Sequence, residues 1–203
     1  MKKPILIFDL GNVIINFDHV KAVNKFVNYS HLTKKEFISK IRHSKTKRLH
    51  EKGLISNKTF FTGIKKELSL KIERKTFEQI WCRIFGLNKN VYNFVRLLRK
   101  KRYKIAILSD TNALHDKYEI SKYRIDRISD FYLPSYKLNE VKAEGVKIFK
   151  KALKILKTKP ANAIFVDDLK RNIKYAKKAG IYSIQFKGLR ALKRELRGKG
   201  IVF

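Results

Sequence analysis

The chain has 203 residues, 44% hydrophobic and 12% aromatic, which excludes wholesale disorder and suits one domain with an insertion or two small ones. Its 49 Lys and Arg against 17 Asp and Glu give a formal charge of +32, which attracts nucleic acid, anionic surfaces or phosphorylated metabolites alike and constrains partners but not fold. One cysteine, Cys82, excludes an intrachain disulfide framework, and no stretch reaches transmembrane length.

The start Met1-Lys2-Lys3 imitates a signal peptide, but Asp9 and Asn12 interrupt the apolar run and no small-residue cleavage pattern follows, so a cytoplasmic setting is expected. Ile5-Leu6-Ile7-Phe8, bounded by Pro4 and Gly11, lacks alternation and predicts a strand buried on both faces and ending on Asp9. The run continues through Ile14, Ile15 and Phe17, then turns helical with Val20, Val23, Phe26 and Val27. No strand is expected between Val20 and Phe85. Thr33 and Glu36 match a capping box ahead of Phe37, Ile38 and Ile41, and Ser56 is an N-cap for a helix carrying Phe60, Phe61, Ile64 and Leu68. A last helix holds Phe77, Ile80, Trp81, Ile84 and Phe85. The expectation is four short helices bundled over residues 16–88, inserted after the first strand of a core formed by residues 1–15 and 89–203.

From Asn90 helices alternate with short apolar runs, the signature of a parallel sheet. A helix over Val91 to Lys101 leads into Ile105-Ala106-Ile107-Leu108, which ends on Ser109-Asp110. Asp130 to Leu133 is a shorter strand, followed by a polar connection through Lys142 and a helix with Val146, Phe149, Leu153 and Leu156. Ala163-Ile164-Phe165-Val166 ends on Asp167-Asp168, and Ser183 to Phe186 forms a fifth strand. The fold class is therefore α/β, a Rossmann-like three-layer core with a parallel sheet and a small helical cap domain.

Ligands of such sheets gather beyond the carboxyl ends of the strands. The strand ends deliver Asp9, Ser109, Asp110, Asp167 and Asp168 to one edge, with Lys142 in a nearby loop. A carboxylate can attack phosphorus when a divalent cation screens the repulsion between anions, and Mg²⁺ takes oxygen ligands from one or two carboxylates and a backbone carbonyl. A hydroxyl and an ammonium can hold the other phosphoryl oxygens. Singly, each residue has a plainer reading: the acidic pair as a helix cap, Ser109 as a turn residue, Lys142 as one lysine among many.

Together these motifs resemble those of the haloacid dehalogenase (HAD) superfamily, in order and spacing, over nearly the whole chain. The resemblance implies that Asp9 is the nucleophile, that Ser109 and Lys142 bind phosphate, and that Asp9, the Gly11 carbonyl, Asp167 and Asp168 bind Mg²⁺, with Asn172 at the family's spacing. Residues 16–88 resemble the family's first-type cap. The form Asp9-Leu10-Gly11-Asn12-Val13, with Ser109-Asp110-Thr111-Asn112-Ala113-Leu114-His115, is similar to a sugar-1-phosphatase branch, which adds Asp110, Thr111 and Asn112 to the phosphate-binding candidates. The implied activity is Mg²⁺-dependent hydrolysis of a small phosphorylated metabolite, a sugar phosphate as first guess, through an aspartyl-phosphate.

Two departures stand out. Ala143 replaces the proline that usually follows the lysine, and Gly11 replaces the second aspartate that usually serves as acid/base, a role worth about 10²–10⁴-fold. Gly11 and the +32 charge keep open a weakly catalytic or inactive module that binds polyanions such as RNA. Dehalogenases also lack the second aspartate but need no metal, so a 2-haloacid dehalogenase is a further alternative, disfavoured by the Asp167-Asp168 pair. Asp18 is the nearest other carboxylate, and His115 is expected in a surface or capping role.

Overall fold

The computed structural model describes residues 3–203, apart from the side chains at 119–121; Met1 and Lys2 of the signal-like start lie outside the described residues. In chain order β1 (Ile5–Phe8) and β2 (Ile15–Phe17) lead into α1 (His19–Phe26), α2 (Lys34–His43), α3 (Lys45–Glu51), α4 (Asn57–Glu67) and α5 (Arg74–Cys82). Next come β3 (Phe85–Leu87), α6 (Lys89–Lys100), β4 (Ile105–Ser109), α7 (Ala113–Tyr123), β5 (Phe131–Pro134) and α8 (Ser135–Leu138). The chain closes with α9 (Lys147–Ile155), β6 (Ala163–Asp167), α10 (Lys170–Lys178), β7 (Tyr182–Gln185) and α11 (Leu189–Gly198).

Five strands form one parallel sheet in the order β5-β4-β1-β6-β7, with β1 at its centre. Alternation along each strand sends side chains to opposite faces, and both faces are covered. Leu6, Phe8, Ile107 and Val166 pack with Val95 and Leu98 of α6 and Leu192 and Leu196 of α11. Ile7, Leu108 and Phe165 pack on the other side with Phe149 and Ala152 of α9 and Ala176 of α10. This double burial is why the strands read as unbroken apolar runs. No helix among the described residues is long and apolar enough to cross a membrane.

Helices α1 to α5 build a separate core around Phe26, Phe37, Phe60, Phe77 and Trp81. The capping box forms as the sequence predicts: Glu36 N donates to Thr33 Oγ1 at 3.3 Å and Thr33 N to Glu36 Oε2 at 2.8 Å. Ser56 caps α4, accepting from Thr59 N at 3.1 Å. Two features differ from the sequence reading. A strand pair spans the junction, β2 running antiparallel to β3 with Ile15 opposite Leu87 and Phe17 opposite Phe85, so Phe85 ends no helix but begins a strand. The insertion also contains α3, a fifth helix, started by Ser44, whose Oγ accepts from Lys47 N at 2.9 Å.

The helical layer rests on the core through polar contacts. Ser135 Oγ reaches the carbonyls of Glu51 and Thr111 at 2.7 and 2.8 Å, and Lys52 Nζ lies 2.8 Å from Glu144 Oε2. Gly53 approaches α8 so closely that a Cβ there would stand 2.2 Å from the Tyr136 carbonyl oxygen.

Candidate active site

Parallel pairing carries the strand ends to one edge. Phe8 lies opposite Val166, and Asp9 N donates to the Val166 carbonyl at 2.8 Å, so Asp9 and Asp167 emerge side by side. Both are buried, and Lys142, 1% exposed, sits between them with Nζ 2.7 Å from Asp9 Oδ1 and 2.7 Å from Asp167 Oδ2. A short 3-10 turn, Lys142–Glu144, delivers this lysine, and its backbone N–H donates to Asp110 Oδ1 at 2.9 Å. Asp110, one residue beyond β4, thereby anchors the turn that aims the ammonium.

Asp167 is held on every side. Its Oδ1 accepts from Leu169 N at 2.8 Å, and Asn172 Nδ2 reaches Oδ1 and Oδ2 at 3.1 and 3.0 Å. Asp168 accepts at Oδ2 from Asn12 Nδ2 at 3.3 Å. Asn12 adopts the left-handed conformation (φ 53°), which Asn tolerates better than most residues, and this turn brings its amide to the acidic pair.

The electrostatics are those of crowded carboxylates around one cation. Burial pushes Asp9 well above the usual carboxylate range; Lys142 offsets part of this and Asp167 adds to it. Burial likewise raises Asp110, and raises Asp168 with help from Asp167. For Lys142 burial works against the charge, but Asp9, Asp167 and Asp110 outweigh it and hold the ammonium above its ordinary value. Asp9, Asp167 and Asp168 can each offer one oxygen, all within 4.8 Å of one another. Three hard oxygen donors with excess negative charge are a donor set that fits a hard divalent cation.

The remaining candidates occupy different places. Ser109 is buried at the end of β4, beside β1. Thr111 N donates to Ser135 Oγ at 2.9 Å, while its own hydroxyl is buried without a partner among the described residues. Asn112 Oδ1 caps α7, accepting from Leu114 N and His115 N at 3.1 and 3.0 Å. Gly11 lies in bridge register with Ile15, and a Cβ on it would meet Phe17 Cε2 at 2.3 Å. Asp18 is the N-cap of α1, bound to Lys21 N at 2.9 Å.

Sequence reasoning left three contributors out of the site. Asn172 had only its spacing to point to it, although a polar residue beside Ile173 and Ala176 on the buried face of α10 is a signal in itself. Phe17, seated on Gly11, and Ser135, which ties the insertion to the core, carry no signal in a single sequence. His115 is neither a surface residue nor a cap: its Nε2–H donates to the Trp81 carbonyl at 3.1 Å, and its Nδ1 accepts from Asn112 Nδ2 at 3.3 Å. Burial pulls its pKa down to about 3.

Known proteins share this arrangement of chain. A family model described as haloacid dehalogenase-like hydrolase matches residues 6–186. A D-ribitol-5-phosphate phosphatase from Bacteroides thetaiotaomicron is 26% identical over 188 residues, 89% of this chain and 90% of the relative. A HAD family enzyme from the same organism, solved in complex with magnesium and inorganic phosphate, is 25% identical with a TM-score of 0.81, covering 92% of this chain and 95% of that one. A HAD-like family hydrolase from Porphyromonas gingivalis shares the fold with a TM-score of 0.83 at 18% identity, covering 97% and 99% of the two chains. With Asp9, Lys142 and the Asp167-Asp168 pair all inside the matched span, the chain belongs to the haloacid dehalogenase-like hydrolase family.

Proposed function

We propose that this hydrolase is a Mg²⁺-dependent phosphatase acting on a small phosphate ester through an aspartyl-phosphate on Asp9. The observation that carries the reading is the buried row Asp9–Lys142–Asp167 with Asp168 beside it, at the carboxyl ends of β1 and β6. Asp9, Asp167, Asp168 and the Gly11 carbonyl would hold Mg²⁺, which when bound supplies charge neutralisation at the phosphoryl oxygens. The phosphatase related in sequence and the magnesium and phosphate complex related in structure support this choice.

Asp9 then forms a bond from its carboxylate oxygen to phosphorus as the bond to the ester oxygen breaks, and that oxygen leaves with the electron pair and takes a proton from water. Lys142, charged and buried, holds a phosphoryl oxygen throughout, and Ser109 donates a hydroxyl from the adjacent strand end. Asn172 and Leu169 N–H keep the Asp167 carboxylate from rotating. Water next attacks phosphorus, the Asp9–phosphorus bond breaks, and inorganic phosphate leaves with the Asp9 carboxylate restored. An acidic pair has no work in metal-free attack on carbon, which argues against a dehalogenase. A module that only bound polyanions would have no use for carboxylates buried around a lysine. A sugar phosphate belongs to the substrate class, but the helical insertion decides among its members.

The test is hydrolysis of 4-nitrophenyl phosphate with Mg²⁺, with Asp9→Asn as the comparison. The wild type should turn over, lose activity to a chelator and regain it with Mg²⁺, while Asp9→Asn falls by at least about 10³-fold. Equal rates for the two proteins would overturn the assignment.

A further inference from the structure

Between the helical insertion and the catalytic edge lies a cavity of about 460 Å³, within the range that holds small ligands. Its one lining residue from the strand ends is Asp110, which binds the backbone of Lys142. Phe17 is also in the lining, and its ring fills the space beside Gly11, two residues beyond Asp9.

Phe17, His19, Trp81 and His115 of the lining are linked ring to ring, with Phe85, outside the lining, joining Phe17 to His115. Phe17 stacks on His19 and meets Phe85 edge-on, both with centroids 5.3 Å apart; Phe85 meets His115 at 4.9 Å, and His115 stacks on Trp81 at 5.4 Å. The mouth is mixed: Val20 of α1 and Ile38 of α2 line the cavity yet remain 70% and 41% exposed, and the exposed His19 and Arg42 stand beside them, in sequence and one turn on. The polar residues of the lining are His19, Arg42, Lys47, Glu51, Asp110 and His115, and some of them are engaged. Glu51 pairs with Lys47, both ring nitrogens of His115 are bonded, and Asp110 Oδ1 is taken by Lys142 N. A polyol placed against Phe17, Phe26, Phe37 and Trp81 would give up water at the hydroxyls facing those rings, a costly transfer, whereas a flat apolar group gains from the same walls.

The Gly11–Phe17 contact adds a chemical preference. Gly11 offers no carboxylic acid to an ester oxygen departing beside that ring, and His19, stacked on the ring, is the acid nearest to it in the lining, so without a carboxyl at position 11 departure is fastest from a weakly basic oxygen such as that of a phenol.

We propose that this cavity binds the leaving group and selects phosphate monoesters of aromatic or other flat apolar alcohols over those of polyols. The proposal rests on the phosphatase reading and goes beyond it by naming the substrate class. In the step it governs, Asp9 bonds to phosphorus, the phosphorus–oxygen bond to the aryl group breaks, and the aryl oxide leaves with the electron pair and is protonated by water.

The experiment compares kcat/KM of the wild type with Mg²⁺ on phenyl phosphate, 2-naphthyl phosphate, glycerol phosphate and a pentitol phosphate. Phenol and naphthol are of similar acidity, so the naphthyl-to-phenyl ratio reports contact with the cavity and not leaving-group chemistry. That ratio should be about tenfold or more, with both aryl esters ahead of the polyol esters. Val20→Asp and Ile38→Asp, at exposed rim positions that the fold does not need, should bring the ratio towards one. Preference for a polyol phosphate, or a ratio that the rim variants leave unmoved, overturns this inference while the phosphatase reading stands. Absence of hydrolysis on all four esters, with Asp9→Asn indistinguishable from wild type, takes both down.

Discussion

Gly11 is held to glycine by space and not by backbone angle. It is not among the positive-φ residues, yet a Cβ would stand 2.3 Å and 2.9 Å from two atoms of the Phe17 ring. Gly11→Asp alone should therefore displace the ring and lower activity, whereas adding Phe17→Leu makes room. On glycerol phosphate, whose leaving group needs a proton, Gly11→Asp in the Phe17→Leu background should raise kcat/KM by about 10²-fold over Phe17→Leu alone. No gain in that comparison would mean that a carboxylate there cannot reach the leaving oxygen. Asn172→Ala should weaken Mg²⁺ binding about 10–100-fold, measured by calorimetric titration, because Asp167 would lose the amide that fixes both its oxygens. Asp9, Asp167 and Asp168 were legible because each ends an unbroken apolar run, where a carboxylate is out of keeping with its surroundings. Lys142 was legible only through its place in a motif. What sets it apart among so many basic residues is burial between two carboxylates, and that depends on a turn anchored by Asp110 from another strand.

At the level of elements, the same contrast has a different cause. The core strands β1, β4 and β6 are buried on both faces and announce themselves by composition. Strands β2 and β3 are three residues each, too short for a period to register, and they exist because they pair with one another across the insertion. Helix α3 has Leu49 as its sole aliphatic residue and is held by its Ser44 cap and by packing, with His50 stacked on Phe60 at 4.0 Å. Near the start of α7, His115 makes a prediction about pH. Its folded pKa of about 3 lies below the ordinary value of 6.5, so the unfolded chain takes up a proton that the folded one refuses. Its contribution to stability is intact above about pH 6.5 and declines as pH falls towards 3. Protonation at Nδ1 would cost the bond from Asn112. Thermal unfolding of the wild type should thus shift to lower temperature between pH 6.5 and 4, and His115→Gln should flatten that slope. Identical slopes would show that other groups carry the acid sensitivity.

Over the whole molecule, a formal charge of +32 accompanies the acidic cluster of Asp9, Asp167 and Asp168. The positive field should speed the encounter with a phosphate dianion, so kcat/KM for 4-nitrophenyl phosphate should fall severalfold between about 0.01 and 0.15 M salt, as the screening length shortens from about 30 to 8 Å. An unchanged kcat would place the effect on capture. A flat salt profile would mean that the surface charge plays no part in it. One feature of the chain's path bears on how such an enzyme changes its target. The polypeptide leaves the core through β2 and returns through β3, neighbours whose backbones run about 5 Å apart, so to the parallel sheet the entire helical layer is the loop of a single long hairpin. Lengthening a loop costs little once its ends are clasped. The segment between Phe17 and Phe85 can therefore be rewritten, or exchanged for another, while the aspartates keep their places: chemistry is inherited with the sheet, and diet with the loop.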